Sequence, residues 1–93
     1  MDTDKLIMFQ NRLIKVSRHL GKQAKRAGIS CYRVYDHDLP EFPFCIEFYG
    51  DKLYVAEYRR RHGMTEEEHD TWMEKSLAVI AAVLRVSRDN IFL

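Results

Sequence analysis

The chain has 93 residues, 46% hydrophobic and 31% charged, which suits one domain with one core; at this size folding buries only about 60–65% of the unfolded surface. No apolar run approaches the roughly 20 residues that cross a bilayer, and the acidic, polar start MDTDK precedes a helix-like stretch without the apolar centre of a secretory signal. The net charge of +1 hides an asymmetry: Lys5 to Tyr35 holds eight Lys or Arg and no Asp or Glu, whereas Asp36 to Leu93 holds seven basic and twelve acidic residues.

The first segment reads as a helix from about Thr3 to Ala27, capped by Asp2 or Thr3 and stopped by Gly28. Leu6, Phe9, Leu13, Val16, Leu20, Ala24 and Ala27 recur at three- and four-residue steps and form its core stripe. Arg12, Lys15, Arg18, His19, Lys22, Lys25 and Arg26 fall on the opposite half of the wheel, a cationic face with no carboxylate among them.

Ile29 to Tyr35 alternates as a strand, with Tyr32 and Val34 on one face and Cys31, Arg33 and Tyr35 on the other. Asp36 to Pro43 breaks it. Phe44 to Tyr49 and Lys52 to Tyr58 are joined by Gly50-Asp51, a two-residue hairpin turn that pairs Phe48 with Leu53 and Ile46 with Val55 on the core side. Glu47 with Tyr54 and Cys45 with Ala56 take the other face. Thr65 and Glu68 make a capping box that opens a second helix, whose stripe Trp72, Met73, Ser76, Leu77, Ile80, Val83 and Leu84 runs to about Arg85. After a polar turn at Ser87 to Asn90, Ile91-Phe92-Leu93 begins a last strand. The chain stops there on an apolar residue, as expected of a piece cut from a longer protein. The fold class is therefore α+β, two helices on one face of a small, mostly antiparallel sheet in the order α-β-β-β-α-β.

Cationic side chains spaced along one side of a rod follow phosphates, which makes Arg12, Lys15, Arg18, Lys22 and Arg26 candidate nucleic-acid contacts; a solvated surface is the plain alternative. Arg59, Arg60 and Arg61, beside Tyr58 and His62, form a second candidate cluster, which pairing with Glu66 to Glu68 would equally explain. Tyr32, Tyr35 and Tyr58 are stacking candidates. Asp36-His37-Asp38, before Leu39-Pro40-Glu41, has the atoms for metal binding or acid–base work, but it also reads as a turn whose carboxylates satisfy loop amides. Cys31, His37 and Cys45 lack a structural zinc spacing, and neither thiol nor Ser17 nor Ser76 has an activating partner in sequence. Two cysteines are too few for a disulfide scaffold and suit a reduced, cytoplasmic protein. No glycine-rich turn between strand and helix exists to hold a nucleotide or adenosyl cofactor.

The string Asn11-Arg12-Leu13, the run CYRVYDHDLPEF from Cys31 to Phe42 and the hairpin DKLYVAEYRRR from Asp51 to Arg61 resemble the segment that precedes the catalytic domain in S-adenosylmethionine-dependent 23S ribosomal RNA methyltransferases of the RlmK and RlmI type. The likeness covers nearly the whole chain and is most specific from Tyr32 to Pro40. It implies an accessory module that holds or orients ribosomal RNA for methylation of a guanine or cytosine. A Rossmann-like catalytic domain and its S-adenosylmethionine site would follow Leu93, with no catalytic, cofactor or metal residue in this chain. It further implies that Tyr32, Tyr35, Asp36, Asp38 and Pro40 lie near the catalytic cleft, and the acidic start at Met1 reads as a true beginning. Some proteins of this type have been labelled N6-adenine DNA methylases, so the competing expectation is a module that only docks on its own methyltransferase domain or forms a homodimer. A third reading, a stand-alone enzyme acting through Asp36, His37 and Asp38, predicts turnover by this chain alone.

Overall fold

The computed structural model describes residues 3–58 and 63–93. In chain order these form helix α1 (Thr3–Ala27), strands β1 (Cys31–Asp36), β2 (Phe44–Tyr49) and β3 (Lys52–Glu57), helix α2 (Glu66–Leu84), a short 3-10 turn (Arg88–Asn90) and strand β4 (Ile91–Phe92). The sheet order is β1-β2-β3-β4; the first two pairings are antiparallel and β3 with β4 is parallel. A parallel neighbour requires a crossover, and α2 supplies it. The α+β architecture and the order α-β-β-β-α-β are those read from the sequence.

Local chemistry sets most of the element ends. Gly28 takes a left-handed backbone (φ 67), its N–H reaching the Lys25 carbonyl at 3.2 Å while the Ile29 N–H reaches that of Ala24 at 2.8 Å. This double closure satisfies the carbonyls at the end of α1 and takes Ile29 into the cap, so β1 starts at Cys31 and not at Ile29. The Thr65 hydroxyl accepts from the Glu68 N–H (3.1 Å) and the Glu68 carboxylate from the Thr65 N–H (3.0 Å), which completes the capping box of α2. The Thr65 N–H, and after it the Thr65 side chain, hold the Glu68 carboxyl below its ordinary range. Gly50, with φ 64, makes the hairpin turn, and the register pairs Phe48 with Leu53, Ile46 with Val55, Glu47 with Tyr54 and Cys45 with Ala56 as expected.

Strict alternation fails in β1. The register steps from Arg33 opposite Glu47 directly to Tyr35 opposite Ile46, so Val34 is the extra residue of a β-bulge. The bulge turns both Val34 and Tyr35 inward, at 1% and 2% exposure, so Tyr35 does not share the outer face with Cys31 and Arg33. The core between helices and sheet is rich in rings. Phe9 of α1 stacks on Phe42 with centroids 4.3 Å apart, and Trp72 of α2 stacks on Phe44 at 5.2 Å. Leu13, Ile46, Leu53, Leu77 and Ile80 fill the space around them.

Candidate nucleic-acid interface

Outside the core stripe of α1 much of the helix faces solvent. Lys15, Arg18, Lys22, Lys25 and Arg26 are exposed along the outer side. Asp4, in the first turn, is the helix's carboxylate, and the ion pairs of the described residues engage Arg12, Arg33, Lys52 and His69 but none of those five cations. At 1.5 Å per residue, Lys15 to Arg26 spans about 17 Å of helix. Such a row attracts a polyanion whatever its sequence.

Arg12 differs from its neighbours. Its Nε and Nη2 both lie 3.1 Å from Oδ2 of Asp38, tying α1 to the loop after β1. The other oxygen of Asp38 accepts from the Asp36 N–H at 3.2 Å. Inside the loop, the Phe42 N–H bonds the Leu39 carbonyl (3.0 Å), closing a tight turn with Pro40 at its second position. The Tyr35 hydroxyl sits under that turn, accepting from the Leu39 N–H at 3.1 Å and donating to the Phe42 carbonyl at 2.7 Å. Burial pushes this phenol up to about 12, so it donates throughout the neutral range. Buried in this way, Tyr35 braces the loop and offers no ring for stacking. Tyr32 is half-buried against Phe48, with centroids 5.3 Å apart, and Pro40 is exposed at the turn.

Asp36 lies on the surface as the hub of a second group. The Tyr58 hydroxyl donates to its Oδ1 at 2.6 Å and Arg33 Nη1 to its Oδ2 at 3.0 Å. The Tyr58 bond and then the Arg33 charge hold the carboxyl below its usual range, and the same bond pushes Tyr58 up to about 12. His37, at positive φ (53), lays its ring on Tyr58 with centroids 5.6 Å apart. Arg59, Arg60 and Arg61, the second cationic cluster expected from the sequence, lie outside the described residues.

Asp36 and Asp38 are thus engaged by separate partners, Arg33 with Tyr58 and Arg12, in the manner of a structured turn. Among the described residues no group of three His, Cys, Asp or Glu is placed to hold a metal ion. The Cys45 thiol is buried, which pushes its pKa up and leaves it a poor nucleophile.

The chain has named relatives. It is 41% identical over 83 residues to ribosomal RNA large subunit methyltransferase K of Neisseria meningitidis, an alignment covering 89% of this chain and 23% of that protein. Against the ribosomal RNA large subunit methyltransferases K/L of Methylococcus capsulatus and Pseudomonas fluorescens it is 44% and 42% identical, over 92% and 90% of this chain and 12% and 11% of theirs. This chain is homologous to a segment of these methyltransferases. No protein-family model matches it. The chain spans between about a tenth and a quarter of the length of the curated relatives it matches.

No described helix is long and apolar enough to cross a membrane.

One surface was not singled out from the sequence. On the open face of the sheet Tyr49 meets Tyr54 edge-to-face at 5.1 Å, and Tyr54 stacks on Phe92 at 5.3 Å, each ring 39–48% exposed. Their outward parity was legible in the hairpin register. Their union with Phe92 depends on β4 pairing alongside β3.

Proposed function

We propose that this chain is the RNA-holding module of a cytoplasmic, S-adenosylmethionine-dependent ribosomal RNA methyltransferase acting on a guanine or cytosine. The methyl transfer itself belongs to a Rossmann-like domain beyond Leu93. The observation that carries this reading is the exposed cationic row Lys15, Arg18, Lys22, Lys25 and Arg26, outside the ion pairs of the described residues, in a chain whose relatives are named for ribosomal RNA. The ion pair of Arg12 with Asp38 ties the Asp36–Pro40 loop to the helix that carries the row, which supports a place for Asp36, Asp38 and Pro40 near the bound RNA in the same reading. Arg59, Arg60 and Arg61 are further RNA contacts in the same reading. The open-face rings Tyr49, Tyr54 and Phe92 support a second contact, with the module's own methyltransferase domain. The names of the relatives favour RNA over DNA as the nucleic acid.

Fluorescence anisotropy with a ribosomal RNA hairpin tests this. Neutralising four or five phosphates predicts a log–log salt slope of about −3 to −4, a loss of roughly a hundredfold in affinity between 50 and 200 mM salt. Replacing Lys15, Arg18, Lys22 and Arg26 by Glu should remove binding while the far-UV spectrum and melting temperature stay near those of the parent chain. Binding indifferent to salt, or retained by the four-fold variant, refutes the assignment.

A further inference from the structure

Two adjoining clefts run along α1. One, of about 310 Å³, is lined by Arg12, Lys15, Val16, His19 and Leu20 of the helix. The next, of about 230 Å³, continues from Leu20 to Tyr32 and Arg33 of β1. Leu20 lines both, so they form one trough along the helix, and beside the second cleft its lip is β1, an edge strand of the sheet. The floor is apolar, with Val16, Leu20 and the half-buried ring of Tyr32, whose hydroxyl reaches α1 beside Gly21. The rim is polar and basic: Lys15 and the His19 ring stand exposed along one wall, outside the ion pairs of the described residues, and Arg33, paired with Asp36 and Glu47, stands at the far end.

We infer that this trough takes a short unpaired stretch of RNA, phosphates along Lys15, His19 and Arg33 and a splayed base on Leu20 and Tyr32. The inference rests on the RNA-holding role proposed above and specifies the form of RNA. A duplex hides its bases and presents only phosphates and sugar edges, for which the outer row of α1 would be enough; an apolar floor inside a polar, basic rim answers an unstacked base. An acidic peptide would suit the rim as well, and its natural mode at a free edge is to add a strand. The bulge at Val34 disrupts the regular spacing such a ladder needs, and Arg33 adds a charge to the edge, both features that discourage strand addition.

The test compares a uridine octamer with a 12-base-pair RNA duplex on the 93-residue chain, by anisotropy at fixed salt and by amide and aromatic NMR shifts. We expect the octamer to bind at least tenfold more tightly than the duplex and to shift Val16, Leu20 and Tyr32. Tyr32→Ala should weaken the octamer roughly tenfold and leave the duplex unchanged. His19→Ala, at an exposed position outside the outer row, should also weaken the octamer more than the duplex. Equal or tighter duplex binding, with shifts confined to Lys22 and Arg26, overturns the trough and leaves the RNA-holding role standing. Displacement of the octamer by an octaglutamate peptide that shifts the β1 amides overturns it in favour of a protein ligand. No shift with either RNA removes both.

Discussion

The outer side of α1 and the open face of the sheet lie on opposite sides of one core, and they expose opposite chemistry. The helix presents Lys15, Arg18, Lys22, Lys25 and Arg26, outside the ion pairs of the described residues, whereas the sheet presents Tyr49, Tyr54 and Phe92 packed ring on ring. Charge acts across roughly the 8–10 Å of a Debye length and tolerates imprecise docking; apolar rings gain nothing until water is expelled. A small domain with one surface of each kind is suited to two partners at once. In our reading these are ribosomal RNA on the helix and a protein body on the sheet.

The sharpest way to break this contrast is to change one surface and measure the other. Lys22→Glu with Arg26→Glu should weaken RNA binding by tenfold or more, whereas Tyr54→Ser with Phe92→Ser should leave RNA affinity within about twofold, since surface changes act locally and distant sites add independently. Equal losses from both pairs would mean that the sheet also touches RNA.

A smaller effect is expected between the two surfaces, where Tyr35 braces the loop. Tyr35→Phe leaves the Leu39 N–H and the Phe42 carbonyl without their buried partner, a cost of about 1–3 kcal/mol, or roughly 5–20 °C in melting temperature for a domain this small. The pH dependence follows from the raised pKa. An unfolded Tyr ionises near 10 and folded Tyr35 only near 12, so its contribution is complete below pH 10 and is lost as pH rises from 10 to 12. Urea midpoints at pH 9 and 11 should therefore differ more for the parent chain than for Tyr35→Phe.

The smallest effect belongs to the exposed hub. Tyr58→Phe should raise the Asp36 carboxyl toward its ordinary value, visible as a shifted carboxylate titration by NMR, with melting unchanged at neutral pH. Because the folded carboxyl is held low, any stability it adds is present above the unfolded pKa and fades as pH falls through the folded one. A titration that does not move would remove Tyr58 as the cause.

Much of the fold was legible because its determinants are contiguous. Gly28 ends α1, Gly50-Asp51 sets the hairpin register and Thr65 with Glu68 opens α2, each through bonds among residues a few positions apart. The cationic face needed only the helical period. The orientation of Tyr35 was not legible, since the alternation rule placed it outward and a single bulged residue reversed it. Nor were the partners of Asp38 and Asp36, for Arg12 is 26 residues from the first and Tyr58 is 22 from the second.

The sequence by itself therefore determined the elements, their order, the hairpin register and which helix carries the charge, because propensity, capping and turn geometry act over a single turn of chain. Tertiary structure decided which tyrosine is buried as a brace and which remains exposed. It alone joined Arg12 to the Asp38 loop, opened the trough along α1 with β1 as part of its lip, and set Phe92 beside Tyr54. Those contacts exist only once distant segments share one core, where packing and the satisfaction of buried polar groups choose among arrangements that local preference leaves equal.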